Sequence, residues 1–194
     1  MRHLRTSLVV LGLMSLLLGI IYPLVMTGVA QLIFPYRANG SLIRKSASEI
    51  PAGSELIGQS FVSPGYFHGR PSECGYDASH SAGSNLGPTN PDFIARTDSL
   101  VRRTRAANGL SDSVPVPADL VLASGSGLDP DISPEAAHLQ VQHVATARNL
   151  DPVALRNLVD SKVQYPTLGA FGIPRVNVLK LNLALDSMSP ENTK

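Results

Sequence analysis

The sequence is poor in several things at once. Its 194 residues hold one cysteine, Cys74, and no tryptophan, and aromatic residues make up only 5%. A single thiol excludes an internal disulfide, so any folded part stands on its apolar core. Charge is missing over a long stretch, since no Asp, Glu, Lys or Arg occurs from Thr6 to Tyr36. The formal net charge is +1. With no basic face interleaved with aromatics, that balance argues against a nucleic-acid partner.

Catalytic signatures are equally scarce. Gly83-Ser84-Asn85-Leu86-Gly87 is glycine-rich but lacks the lysine and the helix start that a phosphate-cradling loop requires. No G-x-S-x-G elbow occurs, and no serine has an assignable base. Cys74, Asp77 and His80 stand at three-residue intervals, without the second ligand pair of a structural zinc site. His138 and His143 are five apart, which misses the i, i+4 spacing that puts two imidazoles on one helix face. "DPDISPE" from Asp129 imitates the start of a calcium loop, but Pro134 replaces the turn glycine and Gln140 the closing glutamate. Neither a catalytic residue nor a metal ligand is assigned, and a cofactor-binding residue stays unknown.

What is present begins with the uncharged run. About 20 apolar residues cross a hydrocarbon core of about 30 Å, and residues 7–35 exceed that length. Arg2, Arg5 and the small residues before Gln31 resemble a signal peptide. The apolar core is longer than the 7–15 residues or so of a signal sequence, which favours a retained transmembrane helix. Pro23 lies inside it and is expected to kink it. Gly12, Ser15 and Gly19 form a strip of small residues along which another membrane helix could pack. Glycine is also simply common in such helices. Charge flanking the span is nearly balanced, and because long domains translocate largely regardless of charge, residues 1–6 are expected in the cytoplasm and the bulk outside.

Residues 36–186 read as an α+β domain of short strands and three to four helices. Short strands are expected at Leu42-Ile43, Leu56-Ile57 and Leu120–Ala123. Asn90-Pro91-Asp92, Ser133-Pro134-Glu135 and Asp151-Pro152 each announce a helix by a capping side chain followed by proline. The first helix ends at Asn108-Gly109, with its arginines on a solvated face, and the others end near Arg148 and before Pro166. "RVNVLKLNLALD" is expected to run from strand into helix, and residues 187–194 to form a loose tail. Gly65 to Pro91 is irregular: Arg70, Asp77, Ser84 and Asn85 either hold its turns by side-chain to backbone bonds or dock on a partner.

"YFHGRPS", "GYD", "AGSNLGPTNP", "SGLDPDISPEAA" and "RVNVLKLNLALD", behind one N-terminal membrane helix, closely resemble the C subunit of the Kdp potassium-transporting P-type ATPase over nearly the whole chain. The resemblance implies a bacterial inner-membrane complex with a channel-like A subunit, an ATP-hydrolysing B subunit and a small F subunit, all in contact with membrane lipid. It implies an accessory chain without a catalytic centre, described as a catalytic chaperone that raises the B subunit's affinity for ATP, which the two would share. A rival description makes the outer domain a lid over the potassium entrance of the A subunit. Some family members carry Leu-Ser-x-x-Gln, likened to a nucleotide-sensing signature, whereas this chain reads Leu150-Asp151-Pro152-Val153-Ala154. The alternative from another class is an anchored solute-binding module acting alone.

Overall fold

A computed structural model describes residues 2–44 and 50–188. The chain divides into two compact units, Met1–Ser54 and Glu55–Lys194.

In the first unit the uncharged run is helical over Arg2–Ile33, and none of the hydropathic window within it is buried by the rest of the chain. Its 32 residues extend about 48 Å at 1.5 Å each. It is the one helix among the described residues long and apolar enough to cross a membrane. Two α-helical parts, α1 (Arg2–Leu16) and α2 (Tyr22–Ile33), flank a π-helical turn at Leu17–Ile21. The cause is Pro23, which has no N–H to offer the Gly19 carbonyl and whose ring crowds it. The wider turn answers both demands, with the Tyr22 N–H donating to the Leu17 carbonyl five residues back. The expected disturbance at Pro23 is therefore a widened turn just upstream of it.

After the short helix α3 (Pro35–Ala38), β1 (Leu42–Ile43) pairs antiparallel with β2 (Gly53–Ser54), Leu42 opposite Ser54. The strand expected at Leu56-Ile57 is corrected, because those residues lie in a turn. Gly53-Ser54 takes the place beside β1 instead, held by the Ala52 N–H on the Ile43 carbonyl (2.8 Å) and the Ser54 hydroxyl on the Gly40 carbonyl (2.7 Å).

The second unit is α+β, as expected from sequence. Its helices are α4 (Pro91–Asn108), α5 (Pro134–Arg148), α6 (Pro152–Lys162) and α7 (Val178–Met188). Three of them begin alike. Asn90 accepts from the Asp92 and Phe93 amides, Ser133 from Ala136, and Asp151 from Val153 and Ala154, each with proline next in line. A side-chain oxygen thus meets the amides that a first turn leaves unpaired, and proline has no amide to leave. Asn177 performs the same service for α7, accepting from the Lys180 amide at 3.1 Å.

Three short antiparallel strands, β3 (Asp131–Ile132), β4 (Val163–Gln164) and β5 (Arg175–Asn177), form a sheet in the order β3-β5-β4. Val176 stands opposite both Ile132 and Val163. The strand expected at Leu120–Ala123 is also corrected. Ala118–Leu120 is a 3-10 turn, and the carbonyls of Leu122 and Ala123 are taken by the Arg70 guanidinium, which occupies the position a neighbouring strand would need. Of the loose tail expected at 187–194, Ser187 and Met188 belong instead to α7, and residues 189–194 lie outside the described residues.

The core gathers Val141, Val144 and Ala145 of α5, Leu155 and Val159 of α6, Leu181 and Leu185 of α7, Ile132 and Val176 of the sheet, and Phe67 from the irregular stretch. Phe67 is fully buried although no helix or strand carries it. Two side-chain amides make that feasible. Asn182 of α7 accepts from the Phe67 N–H and donates to the Phe67 carbonyl, both at 2.9 Å. Gln140 of α5 does the same for His68, at 2.8 and 3.2 Å. Consecutive backbone residues are thus paired by amides of the same donor–acceptor pattern as a strand's own edge, so their burial leaves no orphaned polar group. Each amide sits on an otherwise apolar helical stripe, with Asn182 beside Val178, Leu181 and Leu185.

Asn182→Ala would strip both partners from a buried backbone. A loss of about 3 kcal/mol is expected, at 1–3 kcal/mol for each buried group left unpaired. Thermal unfolding of the full chain in mild detergent checks this, and a melting temperature equal to wild type would show that the clamp carries no stability.

Candidate functional site

Two regions hold the residues singled out from sequence. In the span, Gly12 and Ser15 lie in α1, whereas Gly19 lies in the π-helical turn, which rotates it away from the azimuth an unbroken α-helix would give it. A Cβ added at Gly12 or Gly19 meets no atom of this chain within 4 Å. That surface is open to lipid or to another helix.

The second region is the stretch from Gly65 to Pro91, built by side-chain to backbone bonds. Arg148 of α5 donates from Nε to the Gly65 carbonyl (2.6 Å) and from Nη2 to Asp186 (2.8 Å), with its guanidinium 4.4 Å from the centre of the Tyr66 ring. Arg70, with its side chain 27% exposed, joins the Leu122 and Ala123 carbonyls to Asp129, whose Oδ2 lies 3.0 Å from Nη1. The Tyr76 hydroxyl donates to the Arg70 carbonyl. Ser72 donates to the Gly127 carbonyl (2.6 Å) and accepts from the Tyr76 amide (2.9 Å). Gly127 has φ +68°, and a Cβ there would stand 2.6 Å from the Ala82 carbonyl oxygen, so the two backbones close on each other only because this residue is glycine.

Asp77 turns the chain locally, accepting from the amide (2.9 Å) and hydroxyl of Ser79 and facing His80 Nδ1 at 3.1 Å. Cys74 does not join them. Its sulfur lies instead by Ser72 Oγ (3.4 Å) and the Gly127 carbonyl (3.5 Å), and the Ser72 contact draws its thiol pKa below the ordinary value. Ser84 Oγ accepts weakly from the Leu86 amide, and Asn85 adopts a left-handed φ of 53°. Among the described residues no group of three or more His, Cys, Asp or Glu is placed to hold a metal ion. His138 pairs with Asp160 of α6 at 2.9 Å, which ties α5 to α6.

A cleft of about 490 Å³ is lined by Arg70, Asp119, Asp129, Asp131 and Arg175. Its carboxylates are all committed: Asp119 accepts from the Ser133 amide, Asp129 from Arg70 and the Asp131 amide, and Asp131 from Arg175 and Asn177. "DPDISPE" therefore uses its oxygens for turns and ion pairs. On α4, Arg96 reaches Glu73 with both carboxylate oxygens within 2.8 Å, and Arg102 pairs with Asp98. Arg105 departs from the expected solvated face, turning inward to the Val114 carbonyl at 3.1 Å.

One feature was not singled out from sequence. Between β4 and β5 the chain makes a tight tip, with Thr167 and Phe171 exchanging both backbone hydrogen bonds at 3.0 Å. Leu168 and Gly169 turn the corner with φ of 56° and 72°. Around this tip Tyr165, Leu168, Phe171 and Ile173 are 76, 88, 71 and 74% exposed. "YPTLGAFGIP" reads in sequence as a turn with scattered apolar residues, and only the fold puts them together in solvent.

Residues 4–187 match the family model described as KdpC: K+-transporting ATPase, c chain. The chain belongs to this family. A potassium-transporting ATPase KdpC subunit of Caulobacter vibrioides is 54% identical over 190 residues, covering 97% of this chain and 94% of its own. One from Gemmatimonas aurantiaca is 52% identical with the same coverage, and one from Methylobacterium nodulans is 49% identical, covering 97% of this chain and 98% of its own. The protein is thus a subunit of a potassium-transporting ATPase, with one candidate membrane helix at its N-terminus.

Two carboxylates are tuned in opposite directions. The hydroxyl and amide of Ser79 draw the Asp77 pKa below the usual aspartate value, whereas burial pushes Asp131 above it despite Asn177 and Arg175. A lowered folded-state pKa gives stability that is present above the unfolded value and lost as pH falls through the folded one. A raised one gives stability that is fullest below the unfolded value and lost as pH rises through the folded one. Carboxyl titration by carbon-13 NMR should therefore find Asp77 ionising at lower pH than Asp131, and the reverse order would contradict this assignment of causes.

Proposed function

We propose that the chain is a non-catalytic accessory subunit of the complex, anchored by its span in a bacterial inner membrane. Its N-terminus is cytoplasmic and its α+β domain lies outside. It assists assembly with a channel-like A subunit, an ATP-hydrolysing B subunit and a small F subunit, and acts as a chaperone that raises the B subunit's apparent affinity for ATP. The observation that carries this reading is the span itself, whose apolar surface is unused by the rest of the chain. An anchor alone needs about 20 residues, and this one adds the open positions Gly12 and Gly19, where a second helix backbone can approach. With the domain outside, the chain touches no cytoplasmic nucleotide, and its effect on the B subunit's affinity for ATP passes through the span. A second reading, a lid over the potassium entrance of the A subunit, draws on the uncovered apolar tip around Leu168.

Replacing both Gly12 and Gly19 with leucine should release the subunit from the detergent-solubilised complex and raise the complex's apparent KM for ATP. Full retention with unchanged ATP dependence would defeat the reading. The topology is tested separately. A membrane-impermeant maleimide should label Cys74, or a cysteine placed at the exposed position Ala78, in intact cells, and labelling only after the inner membrane is opened would put the domain on the cytoplasmic side.

A further inference from the structure

We propose that the tip from Tyr165 to Ile173 is a docking surface for an uncharged, apolar recess on another subunit of the potassium-transporting ATPase. This rests on the reading of the chain as one subunit of several, and adds to it a place of contact on the α+β domain.

Exposure of single apolar side chains is ordinary, whereas several large ones gathered on one projecting turn are what an interaction surface presents. Tyr165, Leu168, Phe171 and Ile173 are each more than 70% exposed, and no charged residue occurs between Lys162 and Arg175. The backbone is fixed besides. The reciprocal hydrogen bonds of Thr167 and Phe171 close the turn, and Leu168 is held in a left-handed conformation that leucine disfavours, with its side chain directed to solvent. A strained, preformed tip gains affinity when its partner has a complementary shape, because the ordering is done before contact.

That argues for a protein over a lipid surface, which rewards apolar area in any shape and draws strength from free basic residues. Of the two basic residues that border the tip, Arg175 is already engaged by Asp131 at 3.1 Å, which leaves at most Lys162 for an anionic headgroup. Size argues against a second copy of this chain. Four such side chains, each about three-quarters exposed, offer on the order of 500 Å², at roughly 150 Å² for a whole large side chain. A stable complex in free solution needs about 800 Å² from each partner. A smaller contact suffices between subunits already held in one bilayer, where the effective concentration is high.

The test places p-benzoylphenylalanine at Phe171 in the full chain, co-expressed with the other ATPase subunits, and irradiates the purified complex. A cross-link to another ATPase subunit is expected, with a yield at least tenfold above that from the same probe at Val153, an exposed position on α6. Adding Leu168→Ser should lower the Phe171 yield at least fivefold while the melting temperature stays within a few degrees of wild type. Cross-links mainly to lipid or to a second copy of this chain would overturn the proposal, as would equal yields from both positions. The cross-link is read without ATP or potassium, so it stands even where an effect on ATP affinity is not found. Release of the subunit by the span variants while the Phe171 cross-link persists in membranes would separate the two contacts.

Discussion

The pairing of two side-chain amides with the backbone of Phe67 and His68 is the constraint on which the α+β domain depends. Asn182 and Gln140 come from α7 and α5, and between them they satisfy two consecutive residues that neither helix nor sheet could otherwise serve. Because their polar groups are met, a phenylalanine from an irregular stretch becomes part of the core. From that fixed point the chain runs on to Arg70 and Ser72, each bonded to backbone of the 122–127 turn, and to Tyr76, whose hydroxyl donates to the Arg70 carbonyl. The apparent richness of this stretch in reactive side chains is thereby explained as architecture, with arginine and serine acting as cross-braces where a sheet would use strands.

The same economy separates the two units. The α+β unit spends many polar side chains on itself, down to the carboxylates of the cleft lined by Asp119, Asp129 and Asp131. Among the described residues, the span of the first unit and the tip of the second stay uncovered. Both are apolar, and for a chain whose relatives are named as one subunit of an ATPase these are the surfaces we propose as its contacts with a larger body.

The helices were legible in sequence because their signals are local. Asn90, Ser133 and Asp151 cap, proline follows, and Gly109 or Asn149 ends the turn in a left-handed conformation. The strands were legible only in part: Leu42-Ile43 pairs as β1 and "RVNVLKLNLALD" runs from β5 into α7 as expected, but two or three residues acquire strand geometry only from their neighbour. Leu56-Ile57 and Leu120–Ala123 had the composition and found no partner edge, while Gly53-Ser54 had little of it and paired. The amide clamp was half visible, because Asn182 stands on the apolar stripe of α7, but its target lies too far along the chain for any pattern to name. The family was legible from long matching segments, and the tip was overlooked because its residues are ordinary one at a time.

The clamp also orders the chain in time. Phe67 is 115 residues from Asn182, and His68 is 72 from Gln140. Contacts so distant are slow to form, since a long loop must close before they return any stabilisation. As the polypeptide leaves the ribosome, α4 and α5 can coil early and Gln140 can reach His68, yet the Phe67 backbone has no partner until α7 has been made. The nascent domain consequently locks as a unit only once α7 has been made, long after the apolar N-terminal segment has emerged.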